Sequence, residues 1–127
     1  MYTLTIDETF AAAHQLRGYQ GKCENLHGHT WKAELSVSGE ELNNIGLLID
    51  FQEMKAVLRE ITGMFDHTNI NETAPFDRIN PSSENLSKFF YDEAVKRFAA
   101  KSPGLRVNSA TIWESSTSRC TYTASLY

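Results

Sequence analysis

An α+β fold is what this sequence predicts: a four-stranded antiparallel sheet with two helices on one face. Residues 2–14 and 27–37 alternate apolar and polar side chains with a period of two, and two central stretches repeat apolar residues at helical spacing. From residue 106 onward the chain alternates again around a polar turn. The order is therefore ββααββ, that of an antiparallel sheet with its helices segregated to one side. A single helical layer leaves the second sheet face and both edges uncovered, so an oligomer is expected.

In the first strand Tyr2, Leu4, Ile6, Phe10, Ala12 and His14 share the even side, with a bulge or kink expected where Asp7-Glu8 interrupts. A polar, Gly-bearing loop from Gln15 to Leu26 leads into the cleanest alternation of the chain. There His27, His29, Trp31, Ala33, Leu35 and Val37 face one way, and Thr30, Lys32, Glu34, Ser36 and Ser38 the other. Asp50 and Glu53 form a capping-box-like start, after which Phe51, Met54, Leu58, Ile61 and Phe65 mark a helix of about 15 residues. Asn80-Pro81-Ser82-Ser83-Glu84 opens the second helix with a hydroxyl cap and an acid in the first turn. Leu86, Phe89, Phe90, Ala94 and Phe98 form its buried stripe, and Ser102-Pro103-Gly104 ends it. The last two strands run from about Arg106 to Glu114 and Arg119 to Leu126, joined through Ser115-Ser116-Thr117-Ser118. The final one turns Cys120, Tyr122, Ala124 and Leu126 inward, making Cys120 a plain core thiol. No repeat or linker divides the chain, and residues 1–127 are read as one domain.

With 127 residues the chain can bury a real core without disulfides or a structural metal. A net charge of −4 provides no basic footprint for nucleic acid, and no apolar run approaches membrane-spanning length. Nothing in the first residues reads as an export signal, so a cytoplasmic location is expected, with both cysteines, Cys23 and Cys120, reduced.

The chemistry concentrates in Cys23-Glu24-Asn25-Leu26-His27-Gly28-His29. Side chains two apart on a strand point the same way, so His27 and His29 can grip one metal ion, and Gly28 lets the backbone run close to whatever they hold. His14 can supply a third nitrogen, leaving tetrahedral zinc an open position for substrate or water. Two plainer readings compete: Cys23 closes a structural site as fourth ligand, or the two histidines are surface residues without a metal. Asp66-His67 pairs a carboxylate with an imidazole, a proton acceptor near neutral pH, or else a histidine favoured by a helix C-terminus. Cys23 needs a base or positive neighbour to become reactive, and zinc, Lys22 or the His67 pair can serve. Glu114, at a strand end, matches a guanidine-like edge if buried and is a solvated acid if not. Glu84 assists from the helix start or serves as a dipole-favoured acid.

Cys23 ahead of His27-Gly28-His29, the upstream His14, Asp66-His67, Pro81-Ser82-Ser83-Glu84 and Glu114 stand in an order that resembles the 6-pyruvoyltetrahydropterin synthase family, over essentially the whole chain. Within it, the chain is most similar to the members that form 6-carboxy-5,6,7,8-tetrahydropterin in queuosine biosynthesis. The resemblance implies the tunnelling fold, with trimers closing sheets into a barrel and two trimers stacking into a hexamer with interfacial active sites. It implies zinc on His14, His27 and His29, a pterin held by Glu114, and Cys23, Asp66 and His67 moving protons. The implied substrate is 7,8-dihydroneopterin triphosphate, losing triphosphate and acetaldehyde. Ser82 and Ser115 stand where members often carry Thr, keeping the hydroxyl; Ser82, Ser83 and Glu84 are the further substrate-binding candidates. Glu24 resembles the glutamate of folate-branch members, which form 6-hydroxymethyl-7,8-dihydropterin, so this chain carries both candidate groups. Arg17 and Lys22 are candidate cations for the triphosphate, or solvated loop charges.

Overall fold

The computed structural model describes residues 1–124, the Cys23 side chain excepted. Its strands are β1 (Tyr2–His14), β2 (His27–Gly39), β3 (Thr68–Asn69), β4 (Arg106–Ser115) and β5 (Ser118–Thr123), and its helices α1 (Phe51–Thr62) and α2 (Ser83–Lys101). One five-stranded sheet holds them in the order β3-β1-β2-β4-β5. The long pairings are antiparallel, while β3 runs parallel to β1, so the expected four-stranded antiparallel sheet becomes five-stranded and mixed. The extra strand forms because the chain leaving α1 returns along the free edge of β1, where His67 N–H donates to Ala11 O at 2.6 Å. Two residues are too few to leave a period-two trace in a sequence.

The ladder between β1 and β2 runs without a register shift from Tyr2↔Gly39 to His14↔His27. The interruption expected at Asp7-Glu8 is absent because α1 supplies a cation: Arg59 Nε lies 3.0 Å from Glu8 Oε1, so an acid can occupy the helix-covered face. On that face Phe10, Trp31, Ala33, Leu35 and Val37 are buried, and Trp31 Nε1 donates to Ala12 O at 3.1 Å, satisfying the indole.

Asp50 caps α1 by accepting from Gln52 N–H at 2.8 Å. The helix stops at Thr62, shorter than predicted, yet Phe65 in the following turn is fully buried. Phe51, expected in the buried stripe, is 51 % exposed, and Val57 joins Met54, Leu58 and Ile61 there instead. Ser82 caps α2 through Asn85 N–H at 3.1 Å, and Leu86, Phe90, Ala94 and Phe98 bury one side of it. Helix α1 packs on β1, and α2 on β4 and β5. Glu60 of α1 pairs with Arg97 and Lys101 of α2 at 3.0 and 3.2 Å, tying the two helices together. The final turn narrows to Ser116-Thr117, Cys120 and Tyr122 are half-buried, and Leu126 lies outside the described residues.

Phe10, Phe65 and Phe90 lie with ring centroids 5.7 to 6.4 Å apart, joining β1, the turn after α1, and α2. Phe90→Ala empties the centre of this cluster and should cost about 3–5 kcal/mol. Urea unfolding monitored by circular dichroism measures it.

Candidate functional site

The last pair of the β1–β2 ladder sets His14 beside His27, and His29 follows two residues along the same face. The fourth member comes from β4 through an irregularity. Trp113 pairs with Arg119 and Ser115 with Ser118, which leaves Glu114 as an extra residue on its strand, the kind of bulge that re-aims a side chain. Donor atoms of His14, His27, His29 and Glu114 all lie within 4.8 Å of one another, a group that could hold a metal ion. Glu114 Oε1 is 3.1 Å from His29 Nε2 and 3.9 Å from His14 Nε2, while its Oε2 accepts from Ser83 Oγ at 3.2 Å.

Main-chain carbonyls orient two of the rings. His14 Nδ1 donates to Pro81 O and His27 Nδ1 to Asn25 O, both at 2.7 Å. A carbonyl only accepts, so each Nδ1 carries the hydrogen and each neutral ring presents a lone pair at Nε2. Those two Nε2 atoms lie 3.0 Å apart. Two lone pairs at that distance repel unless a proton or a cation joins them. His29 Nε2 is also buried without a hydrogen-bond partner, its separation from Glu114 lacking hydrogen-bond geometry. Three imidazole nitrogens and a carboxylate, two of the rings fixed by carbonyls behind them, fit a divalent metal. Burial pushes His14 and His29 below the ordinary imidazole value of 6.5, against the opposing pull of Glu114, and so favours the neutral, ligating form.

The other candidate residues are placed differently. Cys23 belongs to a 3-10 turn over Lys22–Glu24, in which Lys22 and Glu24 are exposed. Asp66 Oδ1 accepts from Ala11 N–H at 2.9 Å and lies 3.1 Å from His67 Nδ1. Hydrogen bonding from the Ala11 amide, assisted by His67, lowers the Asp66 pKa. His67 has a left-handed backbone, φ 60, and an 83 % exposed side chain beside the β1 edge, so the pair is not part of the metal-binding group. The Ser82 hydroxyl is committed to its helix cap, Ser83 reaches Glu114, and Glu84 is exposed. Arg17 donates to the carbonyls of Phe76 and Ile79. A Cβ added at Gly28 would meet only Ala12 O, at 4.0 Å, so packing within the chain does not require glycine there. Sequence reading missed the carbonyls of Asn25 and Pro81, since a main-chain acceptor carries no residue-type signal.

Residues 3–125 match the family model described as 6-pyruvoyl tetrahydropterin synthase. The chain belongs to that family. A 6-carboxy-5,6,7,8-tetrahydropterin synthase of Synechocystis is 30% identical over 127 residues, covering 96% of this chain and 93% of that protein. A 6-pyruvoyl tetrahydrobiopterin synthase of Dictyostelium discoideum is 32% identical over 102 residues, covering 71% and 76%. The structure of Caenorhabditis elegans 6-pyruvoyl tetrahydropterin synthase superposes with a TM-score of 0.83 at 23% identity, covering 98% of this chain and 96% of that one. Relatives of both names thus match this chain by sequence. No helix among the described residues is long and apolar enough to cross a membrane.

Because the folded-state values of His14 and His29 lie below 6.5, the unfolded chain binds more protons as the pH falls, and stability present above 6.5 is lost below it. In chelator, the urea midpoint should drop between about pH 7.5 and about pH 5.5, with a shallower slope in His29→Gln. A flat profile in the unmodified chain would contradict the buried, neutral state of these rings.

Proposed function

We propose that the chain is a zinc-dependent 6-carboxy-5,6,7,8-tetrahydropterin synthase. In this reading it converts 7,8-dihydroneopterin triphosphate and one water to 6-carboxytetrahydropterin, acetaldehyde and triphosphate, as a step towards queuosine. The pair of facing Nε2 atoms on His14 and His27, with the orphaned nitrogen of His29, is the observation that carries it. These three side chains would hold the zinc, which when bound supplies the Lewis acidity that makes the C–H beside the substrate's side-chain hydroxyls more acidic. Cys23 acts as the proton acceptor from the loop ahead of His27. Glu114 accepts from the 2-amino and ring N–H groups of the pterin, and its 32 % exposure leaves a carboxylate edge accessible to such a ligand. Ser83, already bonded to Glu114, keeps that carboxylate aimed, and Ser82 and Glu84, its neighbours at the start of α2, are the further substrate-binding candidates.

Asp66 and His67 complete the proton-transfer set from another chain. Their exposure at the edge of the sheet supports a site completed between subunits, as trimers closing sheets into a barrel and stacking into a hexamer would provide. Residues 1–127 act as a single pterin-synthase domain. A second reading draws on Glu24: it is exposed in the same turn as Cys23, where a carboxylate can take the role of base and release 6-hydroxymethyl-7,8-dihydropterin.

Product chromatography with dihydroneopterin triphosphate tests both. Cys23→Ala should abolish acetaldehyde and 6-carboxytetrahydropterin while retaining zinc, because three imidazoles remain. 6-Hydroxymethyl-7,8-dihydropterin should persist in Cys23→Ala and be lost in Glu24→Gln. Loss of both products in Cys23→Ala, with neither affected in Glu24→Gln, would leave Glu24 a bystander.

Glu114 has two candidate partners, since its Oε1 lies near the histidines. Glu114→Gln keeps the shape but places a donor where an acceptor is needed, and should weaken substrate binding by about 10–100-fold with zinc retained. Calorimetric titration distinguishes the roles: lowered zinc affinity with unchanged pterin affinity would make Glu114 a metal ligand instead.

A further inference from the structure

We propose that Arg17, acting with Asn80, is a positioning residue for the metal centre: it clamps the segment whose Pro81 carbonyl holds His14 in its metal-binding orientation. The inference rests on the metal-binding reading above and assigns Arg17 a task other than gripping triphosphate. His14 is 1 % exposed, and its Nδ1 donates to Pro81 O, a group on the loop that precedes α2. From β1, the His14 ring reaches that loop through this one bond to Pro81 O.

Arg17, three residues after His14, fastens it further. Arg17 N–H donates to Asn80 Oδ1 at 2.9 Å, and Arg17 C=O accepts from Asn80 Nδ2 at 2.9 Å, a reciprocal pair that imitates one rung of a ladder. The Arg17 guanidinium adds Nη1 to Ile79 O at 3.4 Å and Nη2 to Phe76 O. Asn85 Nδ2 then ties Asn80 O to the first turn of α2 at 2.9 Å. Gln15 is bridged in the same way to Asn71, with N–H to Oδ1 at 2.9 Å and Nδ2 to C=O at 3.0 Å. Side-chain amides thus fasten the backbone just beyond His14 to two separate loops, one of which runs directly into Pro81.

A guanidinium suits this position because its planar fork reaches two carbonyls at once, which an ammonium on a flexible stem does not. Both of its terminal nitrogens are engaged with main-chain oxygens of this loop. Releasing the clamp lets Pro81 O drift, so the His14 Nδ1–H loses its acceptor and Nε2 loses both direction and basicity. Partners standing behind a metal ligand are worth about 10–100-fold in metal affinity.

Metal-stripped protein titrated with Zn²⁺ against a chromogenic chelator, and with Co²⁺ by its d–d absorption, tests the clamp. Arg17→Met, Arg17→Lys and Asn80→Ala should each bind Zn²⁺ more weakly, by up to about 10-fold, and show an altered Co²⁺ spectrum, with far-UV circular dichroism unchanged. Arg17→Lys should fail to rescue. Wild-type zinc affinity and cobalt spectrum in Asn80→Ala and Arg17→Lys would overturn the clamp, whether or not Arg17→Met folds. A raised KM in Arg17→Met that Arg17→Lys restores, with zinc affinity untouched, would overturn it in favour of a phosphate contact. Failure of the unmodified chain to bind Zn²⁺ would overturn the underlying metal reading as well, so the two failures are distinguishable.

Discussion

Two imidazole nitrogens 3.0 Å apart, each with its other nitrogen donating to a main-chain carbonyl, form the constraint on which the site depends. Neutral rings held this way cannot hydrogen-bond to each other. Protonating one would relieve the clash, but burial of His14 opposes the charge, and a second imidazole beside it opposes it further. A cation shared between them would relieve the clash and could also engage the orphaned nitrogen of His29. A protein with an ample apolar core does not need such an arrangement to fold, so its presence is a matter of chemistry rather than of stability.

The long β1–β2 ladder makes this geometry reliable. Its register is pinned by one buried face, where a slip of a single residue would turn Phe10, Trp31 and Leu35 to solvent and every histidine away from its partners. Trp31 secures the join from below: its ring packs edge-on against His14 and His29 at 4.8 and 5.1 Å, while its indole N–H bonds to Ala12 O. The hydrophobic core thus serves as the floor of the site. Glu114 is added from the far side of β2 by a bulge, and Ser83 at the start of α2 donates to it.

The second face of the sheet has its own chemistry. Trp113 lies between Lys32 and Arg119, at 4.6 and 4.7 Å from its ring, and donates to Glu34 Oε1 at 2.8 Å. Polar partners of this kind make an uncovered face tolerable, but they do not finish the strand edges at β3 and β5. The exposed Asp66-His67 pair beside the β3 edge and the exposed turn that carries Glu24 are the two parts of the motif set left outside the histidine group. The first of them adjoins the edge strand that a neighbouring chain would meet if the sheet continued into another copy.

How far the sequence went can be judged residue by residue. Period-two alternation put His14, His27, His29 and Trp31 on one face, and the spacing of Leu86, Phe90, Ala94 and Phe98 marked α2, because these signals come from each residue's own solvation preference and local backbone geometry. The order of the chemical motifs was enough to point to the family. Long-range pairing decided the rest. Glu8 stays on the helix-covered face only because Arg59 arrives from α1, and β3 exists only because the turn after α1 reaches Ala11. Arg17 reads as a free loop cation until the carbonyls of Phe76 and Ile79 are folded against it. Pro81 and Asn25 orient the histidines with backbone oxygens, a role that any residue type could fill. Local pattern therefore determined which side chains face the site, and only the tertiary structure decided what holds them there, since those contacts join segments whose positions depend on the whole fold.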